Sequence, residues 1–169
     1  MWPILLRNLM ATWIICGVWD LFLYFSPLSE KLQPYKVTQA RPALSQIKHD
    51  ALHTTIASCC GTAVEWVLCH FYATGYFSIQ RNMMETPYWN AIAILFITHW
   101  RIPHFYVIHR GMHPWNNPNL PDVGRFLYKW VHSLHHKSYN PTAFSGTSMH
   151  WFEATAYYSA SLCIVPFGV

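Results

Sequence analysis

The feature that most restricts the fold is the apolar run from Ile4 to Phe25, broken only by Arg7, Asn8 and Asp20. A bilayer core is crossed by roughly 20 helical residues, and inside hydrocarbon every backbone N–H and C=O must find a partner within the protein. This run is long enough to cross. No small-residue cleavage pattern follows it, so it reads as an anchor or first span rather than a removed signal. A second apolar segment extends from about Ala51 to Phe77. A third starts near Tyr88 with its apolar part in Ala91 to Thr98, and a fourth covers Ala154 to Val169. The expected fold is therefore an all-α membrane helical bundle of about four hydrophobic segments. The chain is 53% hydrophobic and only 11% charged, well below the roughly 25% charged residues of a soluble domain.

Polar residues in such segments are costly and call for partners. Glu65, in the second segment, reads as a carboxylate hydrogen-bonded to a neighbouring helix. The third segment turns polar through His99, Arg101, Pro103 and His104. It is expected to leave the membrane there, kinked near Pro103. If the first three segments span, the loop from Ser26 to Asp50 and the stretch from His109 to His150 share one side and hold 8 of the 11 Lys+Arg. Arg7 and Arg81 lie opposite. The positive-inside tendency then makes the histidine-bearing side cytoplasmic, in a multi-pass protein expected in the endoplasmic reticulum. The net charge of +4 reads as topology and attraction to anionic headgroups, with no nucleic-acid partner. Cys16, Cys59, Cys60, Cys69 and Cys163 form no CxxC pair and read as small buried hydrophobes.

Chemistry is concentrated in two histidine clusters. His109 and His113 form HxxxH, and after 18 intervening residues His132, His135 and His136 form HxxHH. On an α-helix, residues four apart lie about 40° from one another around the axis. His109 and His113 would share a face, as would His132 and His136, while His135 spreads the second cluster towards a neighbouring ion. The pattern points to a dinuclear metal site. Neutral imidazole suits zinc, copper, iron and nickel alike, so spacing leaves the metal open. Isolated His49, His53 and His70 read as ordinary packed histidines. Between the clusters, the stretch from Pro114 to Pro121 bars helix continuation. Asp122 is placed to cap the next helix, with Arg125 in its first turn.

The run His104-Phe-Tyr-Val-Ile-His109-Arg-Gly-Met-His113-Pro-Trp, followed by Lys129-Trp-Val-His132-Ser-Leu-His135-His136-Lys-Ser-Tyr-Asn140-Pro, resembles the fatty acid hydroxylase and sterol desaturase superfamily of integral membrane non-haem di-iron oxygenases. The resemblance covers about a third of the chain. It implies two iron ions held by His109, His113, His132, His135 and His136, with O2 as co-substrate. His104 and His150 are possible further ligands, and Asp122, Asn140 and Glu153 possible carboxylate or amide partners of the ligand rings. His150 with Glu153 resembles a His-Pro-x-Glu element, with Trp151 standing where proline is usual.

The implied activity is oxygen-dependent hydroxylation or desaturation of a lipid, a sterol or a fatty acyl chain. Electrons would come from a b-type cytochrome or an NAD(P)H reductase. Residues 1–90 are then N-terminal spans and a cytoplasmic loop, and residues 91–169 the N-terminal part of the metal domain. The family's third histidine box has no counterpart before Val169, so the chain is expected to be an N-terminal fragment with an incomplete site. Two other classes remain open: a zinc- or haem-binding membrane module, and a catalytically inactive membrane interaction protein.

Overall fold

The computed structural model describes residues 1–77 and 87–162. All described secondary structure is helical, in six α-helices: α1 (Trp2–Asp20), α2 (Ser29–Leu32), α3 (Leu44–Ala73), α4 (Pro87–Gly111), α5 (Val123–Trp130) and α6 (Trp151–Tyr158). A π-helical turn, Leu21–Phe25, extends α1 before Ser26 adopts extended backbone. Three helices are long and apolar enough to cross a membrane, at Trp2–Phe25, Leu44–Ala73 and Tyr88–Gly111. The expected fourth segment begins as α6, and residues 163–169 lie outside the described residues, as does Arg81. α4 continues through Pro103 to Gly111 and carries His109 in its last turn.

The distribution of side chains is inverted relative to a water-soluble domain. Leu95 is 61% exposed, whereas Asp50, Thr54 and His132 are fully buried. Among the described residues a small apolar cluster is interior, with Ala57, Met149 and Ala154 packed by Cys60, Tyr157 and Tyr158. Contiguous exposed apolar surface of this kind needs a non-aqueous neighbour, and a polar interior is what lipid-facing helices use to associate. Cys59 and Cys69 lie on the exposed face, a correction to their reading as buried: hydrocarbon accepts a thiol as readily as a protein core does.

α3 is the central element, packing against both α1 and α6. Asn8 Nδ2 donates to Thr62 Oγ1 at 3.1 Å, Thr12 Oγ1 lies 3.1 Å from Ser58 Oγ, and Trp13 Nε1 donates to Thr55 Oγ1 at 3.1 Å. Rising numbers on α1 meet falling numbers on α3, so the two helices are antiparallel. Such interhelical bonds contribute about 0.6 kcal/mol each in membrane proteins, and here they form a ladder. Glu65 belongs to it, paired with Arg7 and accepting from Asn8 Nδ2 at 2.9 Å.

At the end of the bundle formed by the close of α1 and the start of α3, the same helices grip residues 138–148. Asp20 Oδ1 accepts from the Ala143 amide at 2.7 Å, and Tyr24 Oη donates to the Pro141 carbonyl at 2.7 Å. Gln46 Nε2 donates to the Asn140 carbonyl at 2.6 Å, and Thr54 Oγ1 donates to the Phe144 carbonyl at 2.5 Å. Asp50 accepts from Ser138 Oγ. The loop is thus held by hydrogen bonds of which that from Thr54 is buried and the rest are partly buried or exposed, which fixes the backbone beside the second histidine cluster.

Candidate metal centre

Three local structures bring the imidazoles together. His109 lies in the last turn of α4, and His113 follows just beyond its end. Trp115 Nε1 donates to the Gly111 carbonyl at 3.1 Å, satisfying one of the acceptors a helix C-terminus leaves open. Asn116 takes a left-handed φ of 53°, which asparagine tolerates better than most residues. The chain then turns back through Asp122. Its carboxylate accepts from the amides of Trp115 at 3.0 Å, Asn116 at 3.3 Å and Arg125 at 2.9 Å. These bonds, first of all that from Trp115, hold the Asp122 carboxyl below its ordinary value of 3.8. Asp122 caps α5 and closes the turn between the clusters; no described contact joins it to a histidine ring.

Gly124 is fixed by close approach. A Cβ there would lie 2.1 Å from the His113 carbonyl oxygen and 2.6 Å from the Trp115 ring. Only a glycine lets α5 pass so near the backbone that carries His113.

The second cluster is not α-helical. After α5, Val131 leaves the helical region at φ −124° and ψ −68°, and His132–Lys137 forms a 3₁₀ helix. With about three residues per turn, His132 and His136 cannot share a face through helix periodicity as expected. Val131, with its non-helical backbone, is the break that separates α5 from this turn.

The result is a compact set of nitrogens. His113 Nε2 lies 3.2 Å from His109 Nε2 and 3.2 Å from His132 Nε2, and His136 Nε2 lies 3.0 Å from His132 Nε2. One ligand atom from each of His109, His113, His132 and His136 falls within 4.8 Å of all the others. Two nitrogens bound about 2.1 Å from one ion are about 3.0 Å apart at right angles and about 3.4 Å apart at the tetrahedral angle. The three separations of 3.2, 3.2 and 3.0 Å are those of neighbouring donors on a single ion.

Burial pushes the His113 imidazole below its ordinary 6.5, and the adjacent His132 ring adds to the effect. The same two causes, in the same order, lower His136. Neutral rings with lone pairs in place are the ligand form of histidine. The donor set therefore fits a transition-metal ion.

The supporting bonds are specific. His132 Nδ1 donates to Glu153 Oε1 at 2.7 Å, with the His132 ring fully buried and the carboxylate nearly so. The bond fixes the tautomer that leaves Nε2 free to ligate. His135 Nδ1 donates to the Ser148 carbonyl at 3.0 Å, so its ring is oriented by the loop that α1 and α3 grip. His135 stands outside the four-nitrogen set but lines a cleft of about 350 Å3 with His109, His136, Ser138 and Tyr139.

Of the other sequence candidates, His150 caps α6 by accepting from the Phe152 amide at 3.2 Å. His104 Nε2 is 3.4 Å from Ser159 Oγ, facing α6 rather than the cluster. Asn140 engages Gln46 through its backbone amide and carbonyl. Residues overlooked in the sequence include Tyr128, whose ring centroid is 5.4 Å from that of His113 and 5.6 Å from that of His136, along with Gly124, Ser148, Asp20 and Asp50. The one available signal was Asp20, since a carboxylate in an apolar span requires a partner.

The chain matches no protein-family model, no curated protein and no solved structure.

Proposed function

We propose that the protein is a membrane-bound, iron-dependent oxidoreductase that uses O2 to hydroxylate or desaturate a lipid. The observation that carries this reading is the set of four imidazole ligand atoms within 4.8 Å of one another in a bundle of membrane-length helices. His109, His113, His132 and His136 hold the first iron. His135, oriented by Ser148 on the adjoining cleft, is the donor for a second. Bound iron supplies the activation of dioxygen and the cleavage of an unactivated C–H bond, for which side-chain acids and bases are inadequate.

The chain's own contribution is positional. Glu153 holds the His132 tautomer, Asp122 fixes the turn that delivers His113, and the 138–148 loop orients His135. The spans give a lipid access to the bundle without passage through water. The order and flanks of the two histidine clusters support the fatty acid hydroxylase and sterol desaturase assignment. The loop-charge count supports a cytoplasmic histidine end in the endoplasmic reticulum, facing a b-type cytochrome or NAD(P)H reductase as electron donor.

One observation favours a second reading. Four neutral imidazoles spaced for a single ion also suit one tetrahedral zinc, in a hydrolytic or structural module. Metal analysis of protein purified from membranes without chelator separates the two. Iron that disappears in His132→Ala supports the oxidoreductase, and stoichiometric zinc with no iron overturns it.

A further inference from the structure

We propose that the cavity between α1, α3 and α6 is a binding site for a neutral, hydroxyl-bearing lipid, separate from the metal centre. The cavity has a volume of about 480 Å3, within the roughly 300–1,000 Å3 typical of small-molecule sites. It is lined by Asn8, Thr12, Ser58, Glu65, Leu68 and Tyr158. α3 meets the metal-bearing loop at Thr54. Glu65 lies further along the same helix, about 16 Å away at 1.5 Å per residue. The cavity therefore belongs to the membrane-crossing part of the bundle, towards the end that holds the start of α1. A ligand reaches it through hydrocarbon.

Charge selects the headgroup. Arg7 and Glu65 form an ion pair, and Asn8 Nδ2 donates to Glu65 Oε2 at 2.9 Å. Glu65 lines the cavity whereas Arg7 does not, so a lipid carboxylate or phosphate there meets the Glu65 carboxylate, and a lipid amine finds that carboxylate already engaged by Arg7 and Asn8. Like-charge juxtaposition of this kind costs several kcal/mol at a desolvated interface. A hydroxyl meets neither penalty. It can donate to Glu65, whose side chain is 37% exposed, and it both donates and accepts opposite Thr12 Oγ1 and Ser58 Oγ, which lie 3.1 Å apart. The Leu68 side chain and the Tyr158 ring offer the apolar surface for the rest of the molecule. Gly61 also lines the cavity, and a Cβ there would come within 3.1 Å of the Tyr158 ring. A larger residue at 61 displaces that ring and occupies the space beside it.

The test is photolabelling in bilayer nanodiscs with diazirine analogues of cholesterol, of a monoacylglycerol and of palmitic acid, on protein with and without chelator. The expected result is saturable labelling within residues 58–68 by at least one alcohol, roughly tenfold or more above palmitic acid, as a single misplaced charge predicts. The labelling is unaffected by chelator and abolished in Gly61→Leu. The sterol and monoacylglycerol arms identify the source of the hydroxyl. If Gly61→Leu does not insert, Ser58→Leu, one turn earlier on α3 and also lining the cavity, carries the same expectation. Labelling by palmitic acid equal to or above that by both alcohols, or no saturable labelling by either alcohol at these residues, overturns the proposal. Dependence on chelator would tie the site to the metal centre and contradict its separateness.

Discussion

Glu153 Oε1 lies 2.7 Å from His132 Nδ1, and both side chains are almost wholly withdrawn from the surface. The pair joins α6 to the turn that carries the second histidine cluster, so the first turn of α6 belongs to the candidate metal centre. Partners of ligand imidazoles typically govern metal affinity by 10- to 100-fold, roughly. Glu153→Ala is expected to weaken metal binding by about that factor and to leave helix content unchanged. Glu153→Gln, which keeps an acceptor oxygen, should lose less. Metal titration with circular dichroism on both variants checks this, and equal affinity in Glu153→Ala and the unaltered protein would contradict it.

Gly124→Ala places a methyl group against the His113 carbonyl oxygen, where the available distance is 2.1 Å. The neighbour is backbone and cannot swing aside, so α5 and the 114–122 turn must separate. Overpacking of this kind costs about 1–3 kcal/mol. Thermal unfolding should fall accordingly, and metal affinity should fall with it because His113 moves. Gly146→Ala, with open space around its Cβ, is the matched control and should change neither.

Acid should loosen the apo centre. In the folded protein His113 and His136 sit below the ordinary 6.5 because burial disfavours their charged forms. The unfolded chain therefore binds protons first, and stability is lost as pH falls through about 6.5. Above that value both states are neutral at these rings and the effect vanishes. The apo protein's unfolding midpoint should be flat from about pH 8 to 7 and drop by pH 5.5. A midpoint that rises on acidification would contradict the burial of these rings.

Asp20→Ala leaves the Ala143 amide without its 2.7 Å acceptor. Abandoning a buried donor costs about 1–3 kcal/mol, and the affected loop also carries the Ser148 carbonyl that orients His135. Reduced thermal stability with faster amide exchange across residues 138–148 is expected, while residues of α3 beyond Thr62 keep their protection.

Three of the apolar segments were legible in the sequence because lipid imposes length and hydrophobicity on each helix separately. The clustering of His109, His113, His132 and His136 was legible too, since local spacing already restricts where such rings can point. The 3₁₀ form of His132–Lys137 was not. It follows from the backbone break at Val131, an ordinary β-branched residue that carries no stop signal. Nor was the ladder of α1 against α3 visible, because Thr12, Ser58 and Thr62 are mild polar residues whose role depends on which helix lies opposite. Gly124 was equally silent. A glycine in a helix's first turn shows its purpose only when the backbone it approaches is in place.

An accessibility tag inserted near Pro118 should be labelled only from the cytoplasm, as the loop-charge count requires. Labelling from the lumenal side would reverse the orientation and with it the proposed electron donor.

His109, His113, His132 and His136 are proposed to bind one ion through their ring nitrogens. X-ray absorption at the metal edge of protein purified from membranes tests it most directly. The expected result is an iron edge with imidazole-type outer-shell scattering and nitrogen neighbours at about 2.1 Å, diminished in His113→Ala and in His136→Ala. A metal signal unchanged by both substitutions, or the absence of bound metal under conditions in which the protein remains folded, would contradict it.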